Sequence, residues 1–167
     1  MIDTIWVDNL IKIFEYEIKI YTKVLQEVEN KKNVIINGDV ESLQATVVKE
    51  QRYINELNKL VEAADKIIAH IAKITGKKCE DINISYLIGI APAKEAKKLS
   101  SKRDELNRLI EQIREKNELN QKLINNSIEY VNFSLNLLTQ TGPQTTQYGS
   151  TGNTTQAKDR NVLDIKY

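Results

Sequence analysis

One cysteine, one histidine, two prolines and six glycines in 167 residues leave this chain short of several kinds of chemistry. The lone Cys79 cannot form an internal disulfide, and its only candidate activating imidazole is His70, so a structural or incidental thiol is favoured over a nucleophile. Lys66 and Ile67, not glutamate, stand four and three residues before His70. The Glu-x-x-His pair that helical metalloenzymes project inward is therefore missing, and an ordinary surface or partly buried imidazole is expected. No metal site and no cofactor site follow from this inventory.

Charge of one sign is also lacking. A formal net charge of +1 gives no basic face to displace phosphate counterions, which argues against nucleic acid as a partner. No apolar run approaches the ~20 residues that span a bilayer, and Asp3, Asp8 and Glu15 interrupt the N-terminal apolar residues where a signal peptide would be continuous. A cytoplasmic protein without direct membrane insertion is expected.

What is present is heptad pattern. With 41% hydrophobic and 28% charged residues and few helix breakers, the chain reads as all-α, an elongated antiparallel three-helix bundle or coiled coil. The first helix, about residues 3–36, has Asp3 as its expected N-cap. Its seam is Val7, Ile11, Phe14, Ile18, Tyr21, Leu25, Val28 and Ile35. A second stripe, Trp6, Leu10, Ile13, Ile20 and Val24, widens the apolar face enough to meet two neighbours.

Asn37-Gly38-Asp39 then supplies a stop and a restart. Gly38 can adopt the left-handed conformation that ends a helix, and Asp39 can accept from the first free amides of the next. So short a connection makes the first two helices antiparallel. The second helix, about 40–75, shows Leu43, Val47, Ile54, Leu57, Val61, Ala64, Ile68 and Ile71 as its seam, with Tyr53, Leu60, Ile67 and Ile74 beside it, and Gly76 closes it. Glu50 takes one seam position and Glu17 lies near another on the first helix. Paired carboxylates there could serve a metal or acid–base chemistry, but isolated acids at seam edges ordinarily reach solvent or a lysine.

Residues Lys77 to Ala91 form the one irregular connection. Ile82, Ile84, Tyr86, Leu87, Ile88 and Ile90 suggest a short helical turn at about 83–90 that plugs the bundle end, with an apolar docking patch as the alternative. Pro92 suits the first turn of the long third helix, about 92–139. Its seam reads Leu99, Leu106, Ile110, Ile113, Asn117, Asn120, Ile124, Val131 and Leu138. The charged run at Lys97, Lys98, Lys102 and Arg103 is interleaved with Glu95, Asp104 and Glu105, which suits a solvated face.

The stretch Asn117 to Leu138 stands apart. Asn117 and Asn120 take positions where a bundle keeps core residues, and are expected to set register. Leu123, Ile124, Ile128, Tyr130, Val131, Phe133, Leu135, Leu137 and Leu138 then spread apolar groups around much of the helix. At 1.5 Å per residue the first two helices are each about 50 Å long and the third about 70 Å. The third should pass the Gly38 hairpin near residue 128, leaving roughly 15–20 Å of apolar helix to bind something or to self-associate.

Beyond Gln140 the polar stretch Thr141 to Ala157 cannot repay the entropy of ordering, so residues 141–167 are expected to be a flexible tail. Tyr148 is the one aromatic between Thr141 and Ala157 and a candidate docking point, and Val162 to Tyr167 could fold on a partner.

Taken together, these motifs resemble the FlgN-type flagellar export chaperones over about residues 5–150. The likeness is carried by Asn37-Gly38-Asp39 with Leu43, by Glu50-Gln51 followed by Ile54 and Leu57, and by Asn117-x-x-Asn120-x-x-Leu123 leading into Tyr130-Val131-Asn132-Phe133 and Leu137-Leu138. The Ile82 to Ile90 segment lies outside them. The resemblance implies a cytoplasmic, non-enzymatic chaperone. Such a protein binds the C-terminal helical segment of hook-associated junction proteins, prevents their premature assembly and delivers them to the export gate. It implies that the client lies on residues 123–138 and makes Tyr148 the positional candidate for docking at the gate. The alternative from the residues themselves is a structural coiled coil that homodimerises through the end of the third helix, a state also open to a client-free chaperone.

Overall fold

The computed structural model describes residues 4–140, and these are all-helical: α1 (Thr4–Ile36), α2 (Val40–Thr75), α3 (Ile84–Ile90) and α4 (Ala93–Gln140), with a 3-10 turn at Cys79–Asp81. Asp3, Tyr148 and the rest of the tail lie outside the described residues. The first two helices fall where the heptads put them, and their junction uses the expected residues. Gly38 has φ +66°, and the Asp39 side chain accepts from the Ser42 backbone N–H at 3.0 Å and from its hydroxyl. Gly76, also at φ +66°, closes α2 with its N–H on the Ala72 carbonyl. A side chain at either glycine would meet open space, so backbone conformation rather than crowding accounts for the choice of residue.

Pairings at both ends show α1 and α2 to be antiparallel. Trp6 stacks on His70 with ring centres 4.0 Å apart, whereas Lys31 donates to Glu50 at 2.6 Å and Lys49 to Glu27 at 3.2 Å near the hairpin. Helix α4 runs parallel to α1. The Asn120 amide donates to the Val28 carbonyl at 2.9 Å across an offset of 92 residues, and Lys116 pairs with Glu29 at 3.0 Å. Leu99 and Val7, separated by the same offset, share the core.

That core joins Val7, Leu10, Ile11 and Ile13 of α1, Ile67, Ile71 and Ala72 of α2, Leu99 of α4, and Ile82 and Leu87 of the connection. The connection thus packs as a plug and not as an exposed patch. Asn83 caps α3 by accepting from the Tyr86 N–H, Lys77 lies 5.0 Å from the Tyr86 ring centre, and Ile84, Tyr86, Ile88 and Ile90 pack against the core. Burying Ile82 and Leu87 is worth about 1.5–3 kcal/mol each, enough to order a segment rich in turns.

One face differs from expectation. On α2 the buried residues are Thr46, Tyr53, Ile67, Ile71 and Ala72, while the seam residues Val47, Ile54 and Val61 are exposed, as is Ile74. The inward face draws on both columns: Tyr53 and Ile67 come from one, and the fully buried Ile71 from the expected seam. Both columns recur every seven residues with similar hydrophobicity, so periodicity alone does not choose between them. Pro92 also sits one residue outside α4, its carbonyl accepting from the Ala96 N–H at 2.8 Å.

The 92-residue offset brings Ile36, the last residue of α1, level with Ile128. There the described residues divide into two compact units, one ending at Ile128 and the other beginning at Glu129, inside α4.

Candidate docking surface

The residues singled out in the sequence separate between the two units. In the first, Leu123 and Ile124 are half-buried and Ile128 is exposed. In the second, Tyr130 (72%), Val131 (53%), Phe133 (61%), Leu135 (46%), Leu137 and Leu138 are all exposed. The two asparagines also part company. Asn120 is buried and bound to α1, but Asn117 faces solvent and holds no core position. Asn117 lies only about 40° from Ile113 and about 60° from Asn120 around the helix, so its exposure, like that of Ile110 on the same side, marks a contact face no wider than the Ile113 and Asn120 column.

Within residues 129–140 the helix has its own geometry. At 100° per residue the apolar side chains form two stripes, Tyr130-Phe133-Leu137 and Val131-Leu135-Leu138, whose centres are about 130° apart. Ser134 lies between them and turns its hydroxyl back to the Tyr130 carbonyl at 2.9 Å. The remaining face carries Glu129, Asn132 and Asn136. Apolar groups thus cover about 200° of the helix, well beyond the roughly 100° stripe of an ordinary surface helix. The only charge in the described part of this unit, Glu129, is on the polar side.

The acidic residues weighed for catalysis do not meet. Glu50 is held by Lys31, about 20 Å along α1 from Glu17 at 1.5 Å per residue. Glu17 is buried, and burial pushes its carboxyl above the usual carboxylate range. The Tyr21 hydroxyl one turn on is raised too, first by burial and then by the Glu17 charge. Among the described residues no three His, Cys, Asp or Glu side chains are grouped to hold a metal ion. Cys79 is exposed, and His70 is occupied with Trp6. No helix among them is long and apolar enough to cross a membrane.

The described residues thus form an all-helical protein with a packed core and a broad apolar face at the end of α4. More particularly, this chain belongs to the FlgN family: the family model, FlgN protein, matches residues 1–156. The family is one of flagellar export chaperones, not of enzymes, and it binds flagellar hook-associated proteins. No curated protein and no solved structure matches the chain significantly.

Proposed function

We propose that this chain is a cytoplasmic chaperone that binds the C-terminal helical segment of hook-associated junction proteins through the end of α4. By covering that segment it prevents premature assembly, and it then delivers the client to the export gate. In this reading α1, α2 and α4 form an antiparallel three-helix bundle that serves as a rigid base, with Asn120 fixing the register of α4 on α1. Leu123, Ile124 and Ile128 of the first unit are proposed as client contacts as well. Tyr148 is the residue proposed to dock at the gate.

The observation that carries the reading is the exposure of Tyr130, Val131, Phe133 and Leu135 on consecutive turns. Burying such side chains on a partner is worth about 1.5–3 kcal/mol each before the cost of association. Homodimerisation through the same residues is the competing use. Titrating the C-terminal segment of a hook-associated junction protein into the chain, with sedimentation of both, separates the two. A monomer that forms a one-to-one complex is expected. A tight dimer that does not take up the segment would replace this reading with self-assembly.

A further inference from the structure

Resting on the reading just given, we propose that the client contributes two helical segments, one to each stripe, so that it straddles the end of α4. A single amphipathic helix approaches from one direction and covers one apolar stripe. Tyr130 and Phe133 face about 150° away from Val131 and Leu135, so a helix seated on one pair leaves the other in water. Both pairs are exposed, and the one charge among the described residues of this unit, Glu129, borders only the Tyr130 and Phe133 side, one turn before Phe133. Ser134, between them, has its hydroxyl satisfied within the helix and makes no demand on a partner.

A second copy of this chain does not solve the problem. In a twofold pairing of two α4 ends each copy uses the same stripe, and the other stripe stays exposed on both. The occupant that covers both stripes at once is one chain with two uncharged apolar helical faces and a connection long enough to pass around the helix. Recognition is then by shape and apolar burial, and the affinity changes little with salt.

The test uses the full chain with Cys79→Ser, which removes its exposed thiol, carrying either Phe133→Cys or Leu135→Cys. Alkylation rates are measured with and without the C-terminal region of a hook-associated junction protein. Both thiols are expected to slow by about tenfold or more in a one-to-one complex, because thiolate access controls the rate. Slowing at only one position would overturn the straddling arrangement and leave the proposed function standing, as would slowing at both only in a complex holding two copies of this chain. Binding with neither thiol slowed would overturn the location of the surface altogether. A parent chain that takes up no client region at all would instead remove the proposed function itself.

Discussion

The two parts of α4 form a comparison inside one helix. From Ala93 to Ile128 it is rich in charge, yet Leu99, Ile113 and Asn120 are buried, because α1 runs alongside at a fixed offset. From Glu129 to Gln140 nearly every turn carries two large apolar groups, yet those groups are exposed. Burial therefore does not follow hydrophobicity alone: a sparse seam is buried beside α1, whereas Tyr130, Val131, Phe133 and Leu135 stay exposed. In the proposed reading the dense end is the surface kept for a client.

The largest test of that contrast removes the same group from each part. Leu99→Ala empties a site that is 0% exposed and should cost about 2–5 kcal/mol in urea unfolding. Leu135→Ala in the free chain should change stability by less than about 0.5 kcal/mol. Equal losses would mean that the end of α4 is structural.

The asparagines sharpen the comparison at a finer scale. Asn120→Ala strips a buried donor from the Val28 carbonyl and should cost about 1–3 kcal/mol. Asn117→Ala, on the exposed side, should stay within about 0.5 kcal/mol of the parent. Glu17→Gln should stabilise the chain at neutral pH by on the order of 1 kcal/mol or less, because a buried carboxylate is replaced by a neutral amide. The sign follows from its raised pKa. The folded state holds the proton more tightly than the unfolded one, so stability falls as pH rises from the ordinary glutamate value through the raised one, and the variant loses that slope.

The smallest expected effect is at the hairpin, where Ser42 holds the Asp39 carboxyl below the usual range through its hydroxyl first and its backbone N–H second. That contribution is complete above the ordinary aspartate value and disappears as pH falls through the lowered one. Asp39→Ala should abolish this acid-side slope and lower the melting temperature slightly.

Much of this was legible in the residues. Asn37-Gly38-Asp39 fixes the first hairpin because only certain side chains tolerate a left-handed turn followed by a cap, and length alone placed the hairpin level with residue 128. Which face of α2 turns inward was not legible. Val47-Ile54-Val61 and Tyr53-Leu60-Ile67 are equivalent to any periodicity argument, and the choice depends on how side chains of α1 interlock with them. Asn117 and Asn120 were indistinguishable for a similar reason. Three residues differ by 300° of rotation, and the sequence carries no absolute angle for the helix. For the docking surface, hydrophobic density marked the residues, but their separation into two stripes needed the continuous helix from Glu129 to Gln140.

The central claim is that apolar groups exposed in the free chain are those a client covers. It is tested most directly by calorimetric titration of the Val131→Glu, Leu135→Glu double variant with the C-terminal segment of a hook-associated junction protein, beside its unfolding curve. The expected result is a loss of affinity of about a hundredfold or more, equivalent to ~2.7 kcal/mol, with unfolding unchanged from the parent. Parental affinity in a folded double variant would contradict it.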